Sequence, residues 1–217
     1  ATSVLAQGQI EEVVVTAQKR VESQQEVPIA ITTLSSATIE KQGIYNFTDI
    51  VKTVPSLSET AYPSSNMLIL YMRGQGVSDP MQVTADGSVG LYVDGHYIAR
   101  PQGALFDIAD AERVEVLRGP QGTLYGRNTT GGAINLVTRK PSGEFGFKQN
   151  LSMGSRDFVR SLSVIDLPEV GGVSSKVSIL SKKEDGYVKN LGNSHDYGET
   201  DEIAGRVALH WSPAEHF

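Results

Sequence analysis

A glycine-rich run between Gly119 and Gly132 is the part of the sequence whose spacing most invites a chemical interpretation. Loops of this kind can cradle a phosphate group, because glycine allows backbone N–H groups to approach an anion closely. No Gly-Lys-Ser or Gly-Lys-Thr follows the run, so the lysine and the magnesium ligand of a P-loop are missing, and the spacing does not match GxGxxG. We therefore interpret these glycines as residues that permit tight turns and close backbone packing.

The histidines and carboxylates do not form a catalytic or metal-binding pattern. The histidines stand far apart, without an HExxH motif or the paired spacing of zinc ligands. They are His96, His195, His210 and His216. The chain has no cysteine, which excludes disulfides, thiolate metal sites and cysteine nucleophiles. The sequence therefore predicts a protein that is not an enzyme and that has no metal site and no cofactor.

The composition favours a folded chain built from short elements. Of the 217 residues, 39% are hydrophobic and 20% are charged, which is an ordinary balance for a protein that folds. The 22 glycines and nine prolines favour short elements joined by turns over long helices. The formal net charge of −6 argues against a nucleic-acid binder. No stretch approaches the roughly 18–20 apolar residues of a membrane-spanning helix, a test that the strands of a transmembrane barrel would escape.

The middle of the chain, residues 28–141, predicts a small α+β domain with a mixed sheet. Ile29–Leu34 is predicted as a strand, and Ser35–Gln42 as a helix that starts at a serine and ends before Gly43. A second helix, Thr48–Val54, is stopped by the proline that follows it. Further strands and one helical turn are predicted from apolar, β-branched and aromatic content: Leu68–Met72, Val89–Val93, Arg113–Leu117, Ile134–Thr138 and the turn Gln121–Tyr125.

Residues 142–217 alternate between apolar and polar side chains, as the strands of a barrel wall do. In the first and last predicted strands, one face carries the apolar residues Phe145, Phe147, Leu151, Met153, Ile203, Val207, Leu209 and Trp211. Two less regular strands, Val159–Leu167 and Val173–Lys183, lie between them. The connections alternate between short ones, at Gly154–Asp157 and Pro168–Gly172, and a long one at Glu184–Asp201, which is typical of an outer-membrane barrel. A soluble β-meander is the alternative.

Several ordered motifs resemble those of the TonB-dependent receptor family. The run Ala111–Pro141, AERVEVLRGPQGTLYGRNTTGGAINLVTRKP, is similar to the end of that family's plug domain, as are Met72-Arg73-Gly74 and Leu91–Gly95. Upstream, Glu11–Ala17 (EEVVVTA) resembles the family's TonB box, and Val27–Thr32 resembles the stretch that follows it. The resemblance covers about residues 10–141, and the barrel pattern begins where the family requires it.

This resemblance implies an α+β plug domain with a small mixed sheet over residues 28–141. Residues 142–217 would then be the first four strands of an antiparallel transmembrane β-barrel, truncated because the family's barrel has about 22 strands. Residues 7–27 are expected to be a flexible N-terminal segment that contains the TonB box. Residues 1–6 are either a remnant of a signal peptide or an N-terminus without a role.

The resemblance also implies energy-coupled import across the bacterial outer membrane, with the plug and the N-terminus on the periplasmic side. The expected ligand is scarce, most commonly in this family a ferric siderophore or a similar iron complex. The plug would gate the barrel, the box would couple it to the TonB protein, and lipid would surround the strands. The alternative is a soluble periplasmic binding or interaction module with a plug-like fold and no transport.

The expected TonB-binding segment has a β-branched cluster, Val13–Thr16, within an otherwise polar stretch. High β-propensity and free backbone groups would allow an extended, unpaired segment to add as a strand to a sheet edge of the partner. The alternative is an ordinary strand of the plug's own sheet. The residues expected to bind TonB are Glu12, Val13, Val14, Val15, Thr16 and Ala17.

Outward loops of the plug are expected to contact the substrate, because binding residues concentrate in loops on a rigid scaffold. The expected loops are Ala61–Asn66, Gly74–Ser88 and His96–Gln102. Their candidate substrate-binding residues are Tyr62, Asn66, Gln75, Asp79, Gln82, His96, Tyr97 and Arg100. The alternative for each of them is an ordinary solvated loop residue.

Five arginines of the plug region are candidates for plug–barrel contacts: Arg73, Arg113, Arg118, Arg127 and Arg139. The resemblance implies that such arginines pair with carboxylates of the barrel wall, for which the guanidinium group is well suited. The alternative is a set of local ion pairs with neighbours such as Asp110, Glu112 and Glu115, each contributing about 0–1 kcal/mol.

Overall fold

The computed structural model describes residues 14–16, 20, 22–23, 25, 27–61, 68–77, 86–99, 110–192 and 196–212. Two compact units divide the chain: the first comprises Ala1–Phe106 and Arg113–Val137, and the second comprises Asp107–Glu112 and Thr138–Phe217. Within the described ranges, no helix is long and apolar enough to cross a membrane.

A five-stranded mixed sheet lies at the centre of the plug region. In spatial order, its strands are β3 (Ala30–Ser35), β8 (Ala111–Arg118), β9 (Gly132–Thr138), β6 (Val89–Val93) and β7 (His96–Tyr97). The pairs β3–β8 and β6–β7 are antiparallel, whereas β6 and β9 are parallel. The predicted mixed sheet is confirmed.

The other elements of the first unit are short. They are β1 (Val14–Val15), β2 (Glu22–Ser23), α1 (Ser36–Gln42), α2 (Phe47–Thr53), β4 (Leu57–Ala61), β5 (Leu68–Met72) and α3 (Gly122–Tyr125). Strands β1 and β2 form one antiparallel pair, and β4 and β5 form another. The prediction of α1, α2 and the helical turn is confirmed, with ends displaced by about one residue, as is usual for helix boundaries.

Local capping explains where the two longer helices begin and end. At α1, the Ser35 hydroxyl accepts a hydrogen bond from the backbone N of Thr38, and Gly43 ends the helix with a left-handed φ of 63°. At α2, Asn46 and Asp49 form a capping box, in which each side chain accepts from the other residue's backbone N–H. These caps hold the helices so that the apolar residues Ile39, Phe47 and Ile50 are buried.

The prediction that His96 and Tyr97 lie in a loop is wrong, because they form strand β7. Asp94 and Gly95 join β6 to β7 with φ values of 49° and 80°. Two consecutive left-handed residues make a tight hairpin turn whose twist matches that of the flanking strands. The chain therefore returns along β6 immediately after Val93.

A four-stranded antiparallel sheet forms most of the second unit. Its strands are β10 (Gly146–Met153), β11 (Val159–Val170), β12 (Val173–Glu184) and β13 (Thr200–Trp211), paired in chain order. The four predicted strands are thus confirmed. Pro168, however, lies inside β11 rather than in the turn, at a register shift between Leu167 and Val170. Proline is tolerated there because an interrupted ladder does not need its missing N–H.

The two faces of this sheet differ in burial and in chemistry. One face, here called the exposed apolar face, carries Phe147, Leu151, Met153, Ile179, Ile203, Val207, Leu209 and Trp211. The opposite face buries apolar residues next to polar and charged ones: Arg160, Leu162, Val164, Ser174, Lys176, Ser178 and Leu180. The predicted alternation is confirmed, with the apolar residues of the first and last strands on the exposed side.

Candidate functional site

The described part of the predicted TonB-binding segment is docked on the plug. Val14 and Val15 form β1, with Val14 opposite Ser23 and Val15 opposite Glu22 of β2. The Val15 side chain is completely buried in a cluster with Val27, Ile31, Tyr92, Leu117 and Ala133. The prediction that this stretch is unpaired is therefore wrong, because β2 supplies an intramolecular partner strand. Glu12, Val13 and Ala17 lie outside the described residues.

Thr16 is held by a buried carboxylate of β8. The backbone N of Thr16 donates to Oε1 of Glu115 at 2.8 Å, and its hydroxyl donates to the same oxygen at 3.1 Å. Nε of Arg113 also donates to Oε1, at 2.7 Å, and its Nη2 donates to the Thr16 hydroxyl at 2.9 Å. Nδ2 of Asn135 donates to the other carboxylate oxygen at 3.3 Å. These four residues, Thr16, Arg113, Glu115 and Asn135, are called the Glu115 node.

Strand geometry brings the members of the node together. Arg113 and Glu115 are two residues apart on β8, so their side chains project from the same face of the sheet. Glu115 is completely buried, between Val114 and Val116, which are also buried. An ionised carboxylate at such a position is costly unless donors and a cation compensate for its lost hydration. The Arg113 guanidinium supplies the cation, and Thr16 and Asn135 supply neutral donors.

Three tyrosines pack against one another in the same unit. The Tyr92 ring centroid lies 5.4 Å from that of Tyr97 and 4.9 Å from that of Tyr125. The Tyr92 hydroxyl donates to the carbonyl oxygen of Tyr125 at 2.6 Å, and Nδ2 of Asn128 donates to the Tyr97 hydroxyl at 2.9 Å. Burial, then the Glu115 carboxylate, then Tyr92 raise the pKa of Tyr125. Burial and then Tyr97 raise the pKa of Tyr92, so both phenols are held in their neutral form.

Three of the candidate substrate residues are described, and they lie in different settings. Gln75 is exposed and exchanges two backbone hydrogen bonds with Met72. His96 is exposed, with Nδ1 3.1 Å from the carbonyl oxygen of Asp94, whereas Tyr97 is partly buried beside Tyr92. No hydrogen bond joins these three side chains to one another within the described ranges. Tyr62, Asn66, Asp79, Gln82 and Arg100 lie outside the described residues.

Three of the five candidate arginines have acidic neighbours close by. Arg113 belongs to the Glu115 node. Nη1 of Arg127 lies 3.9 Å from Oδ2 of Asp86, with both side chains well exposed. Nε of Arg139 lies 3.9 Å from Oδ1 of Asp110. These contacts agree with the alternative of local ion pairs, and contacts with the barrel wall stay a prediction.

The remaining two arginines differ in exposure. Arg73 is exposed and adopts a left-handed φ of 52°, immediately after β5. Arg118 is partly buried at the end of β8. A contact of Arg73 or Arg118 with the barrel wall stays a prediction.

A buried lysine on β12 is a site that the sequence analysis missed. Nζ of Lys176 lies 3.3 Å from Oδ2 of Asp110 and 3.7 Å from Oδ2 of Asp166, and it donates to the carbonyl oxygen of Arg139 at 3.3 Å. Only 1% of its side chain is exposed, and a lysine so deeply buried requires such partners. Within the described part of the chain, no group of three or more His, Asp or Glu side chains could hold a metal ion.

Comparison with known proteins gives a family match in the plug region. Residues 23–133 match the family model described as TonB-dependent Receptor Plug Domain. The catecholate siderophore receptor Fiu of Escherichia coli O157:H7 is 31% identical over 181 residues, which cover 80% of this chain and 22% of that protein. The pesticin receptor of Yersinia pestis is 32% identical over 213 residues, which cover 88% of this chain and 31% of that protein.

Solved structures show the same architecture. The ferric yersiniabactin uptake receptor FyuA from Yersinia pestis has a TM-score of 0.76 at 29% identity, covering 86% of this chain and 29% of that one. The ferripyoverdine receptor of the outer membrane of Pseudomonas aeruginosa has a TM-score of 0.68 at 25% identity, covering 81% and 23%. The chain thus spans less than a third of the length of these relatives. It belongs to the TonB-dependent receptor family of the outer membrane, and it contains the plug domain and antiparallel strands that resemble the start of the family's barrel.

Proposed function

We propose that this chain, within a complete receptor, serves the TonB-dependent import of a ferric siderophore or a similar iron complex. The observation that carries this proposal is the match of the plug region to receptors whose names state such ligands. They include a catecholate siderophore receptor, a ferric yersiniabactin uptake receptor and a ferripyoverdine receptor. The chain would therefore act as a receptor and a transporter rather than as an enzyme.

The segment Glu12–Ala17 is the proposed coupling segment, through which the TonB protein would act on the plug. Strand pairing supports this role: Val14 and Val15 already accept β2 as a partner strand, so this sequence readily adopts a strand and pairs through its backbone. A sheet edge on another protein can use the same backbone groups. Several main-chain hydrogen bonds would then share the load when the partner pulls.

The exposed apolar face is proposed to contact lipid. It extends along four neighbouring strands, from Trp211 and Val173 at one end to Lys183 and Asp201 at the other. A soluble module would present this large apolar surface to water, which monomeric soluble proteins rarely do. An outward apolar band bordered by polar and aromatic residues is instead typical of strands in an outer membrane.

Within this function, the outward loops of the plug are proposed to contact the iron complex. The candidates stay those named from the sequence, of which Gln75, His96 and Tyr97 are described. The arginines at positions 73, 113, 118, 127 and 139 are proposed to seat the plug in the completed barrel, where further carboxylates of the wall could join their local neighbours.

A proline at position 14 tests the coupling role in the complete receptor. Val14→Pro removes a backbone donor and with it a ladder hydrogen bond. We expect it to abolish binding of the periplasmic domain of TonB and energised uptake of a ferric siderophore by cells that have no other receptor for it. Val14→Ile, which keeps the donor and the β-branched shape, is the matched control. Normal uptake by the proline variant contradicts the proposed coupling role.

A further inference from the structure

The described part of the coupling segment, Val14–Thr16, has its backbone engaged by two different partners. Strand β2 occupies one edge, through the pairs Val14–Ser23 and Val15–Glu22. The backbone N–H of Thr16 is occupied by Oε1 of Glu115. Each residue has one amide donor, so a partner strand that pairs through Thr16 must first take this N–H from the carboxylate. Pairing with a partner and bonding to Glu115 therefore exclude each other at Thr16.

We propose that Glu115 is a latch that keeps the coupling segment docked on the plug and so limits the fraction of receptors in which TonB can reach it. This inference rests on the proposed function, because it concerns the regulation of the segment to which TonB would bind. Glu115 acts here as a positioning residue: it holds Thr16 through two hydrogen bonds and would affect TonB only through the segment.

The latch is formed in advance by residues outside the segment. Arg113 donates to one oxygen of Glu115, and Asn135 donates to the other. These two contacts lie within the sheet and do not depend on Thr16, so they keep the carboxylate oriented when the segment leaves. The segment can then return to the same acceptor after each cycle. A hydrogen bond to Glu115 is stronger in this buried site than it would be at the surface, because water does not compete for the carboxylate.

The strength of the latch determines the fraction of receptors in which the segment is undocked and available to TonB. Hydrogen bonds to an ionised, buried group are among the stronger ones in proteins. Losing the two bonds from Thr16 should raise the open fraction of the segment about 10- to 100-fold. The affinity of TonB for the receptor without substrate should rise by the same factor, since the apparent Kd equals the intrinsic Kd divided by the open fraction.

A single cysteine in place of Val15 reports the opening without any use of TonB. Val15 is completely buried, and the chain has no cysteine of its own, so an introduced thiol at this position reacts with a maleimide only when the segment is undocked. In the complete receptor, Glu115→Gln should accelerate labelling of Val15→Cys about 10- to 100-fold. Glu59→Gln, which makes the same chemical change on β4, should leave the rate unchanged.

Two further variants separate a latch from a general loss of structure. Ile50→Cys places a thiol in the buried face of α2, and its labelling should stay slow in the Glu115→Gln background, which shows that the plug is still folded. Thr16→Val removes the hydroxyl from the segment's side of the latch, and Thr16→Ser retains it. The valine variant should label faster than the serine variant, and its effect should not add fully to that of Glu115→Gln.

The outcomes distinguish this inference from the function on which it rests. An unchanged labelling rate in Glu115→Gln overturns the latch, as do fully additive effects of Thr16→Val and Glu115→Gln. Neither result bears on whether TonB binds the segment. That question is answered by a synthetic peptide of residues 11–17, whose failure to bind the periplasmic domain of TonB would contradict the proposed coupling role instead.

Discussion

Thr16 and Glu115 are joined by two hydrogen bonds across a sequence separation of 99 residues. Thr16 follows directly after a strand of two residues, which by itself would be too short to persist. Glu115 lies on β8, a strand with neighbours on both sides in the five-stranded sheet. The conformation of Val14–Thr16 is therefore determined by the plug sheet and by the buried site for Val15, rather than by the propensity of these residues.

The packed tyrosines Tyr92 and Tyr125 predict that the plug loses stability at alkaline pH. Because the pKa values of Tyr92 and Tyr125 are raised above 10.0, the folded plug holds these protons more tightly than the unfolded chain does. Their contribution is complete below about pH 10 and is lost as the pH rises through the folded-state pKa values. The melting temperature of the plug should therefore fall as the pH rises above about 10. Tyr125→Phe should reduce this dependence, and calorimetry of the complete receptor at each pH measures it.

Tyr187→Phe is the matched control for that experiment, because it removes a phenol that is 72% exposed. It should leave the pH dependence as it is in the unmodified receptor. A slope that persists undiminished when both Tyr92 and Tyr125 are phenylalanine would show that other groups cause it.

The elements that local sequence determines were predictable. Ser35, Gly43 and the Asn46–Asp49 box mark helix ends through contacts within a few residues. Strict alternation likewise identified β10 and β13, because one face of each strand differs from the other in polarity. The hairpin at Asp94-Gly95 was also readable, since Asp-Gly between apolar residues is a strong turn signal. The strand β7 that follows it has only two residues, which is too short for an alternating pattern to distinguish it from a loop.

The docking of the coupling segment could not be read from the sequence. Val13–Thr16 has the composition of an extended strand in either case, and only a contact 99 residues away decides whether it is free or bound. One signal was nevertheless present at the other end of that contact. Glu115 interrupts the apolar run Val114–Leu117, and a carboxylate within a buried strand requires a partner. The sequence could indicate that Glu115 has partners, but not that Thr16 is one of them.

Removing the charge of Lys176 is expected to cause a large loss of stability. Lys176→Met leaves the carboxylates of Asp110 and Asp166 without their buried cation, which should destabilise the second unit by about 3–5 kcal/mol. Lys183→Met, on the exposed side of the same strand, should change stability by less than about 0.5 kcal/mol. Chemical unfolding of the complete receptor compares the two. Recovery of stability on adding Asp110→Asn and Asp166→Asn would support this account, and a neutral Lys176→Met would contradict it.

On the exposed apolar face, the free-energy cost of a charged substitution is expected to depend on its position along the strand. Val207 lies between Trp211 at one end of β13 and Asp201 at the other, with Val177 opposite it. Val207→Arg would place a charge near the middle of the proposed lipid-facing band, where the cost is about 2–4 kcal/mol. Val173→Arg, at the end marked by Trp211, should cost only about 0–1 kcal/mol. The yield of folded receptor in outer membranes measures the effect of each of the two substitutions. Equal yields for the two variants would contradict lipid contact on this face.

Adding a single methyl group at Gly132 is expected to disrupt the plug sheet. A Cβ at this position would collide with the Met72 side chain and with the carbonyl oxygen of Leu117. The thioether can move, but the carbonyl belongs to β8, so Gly132→Ala should destabilise the plug by about 1–3 kcal/mol. Gly122→Ala is the matched control, because nothing lies within 4 Å of a Cβ there and alanine favours a helix. Melting of the complete receptor should separate the two variants, and Met72→Ala should rescue Gly132→Ala only in part. Full rescue would show that the clash with the β8 backbone is not limiting.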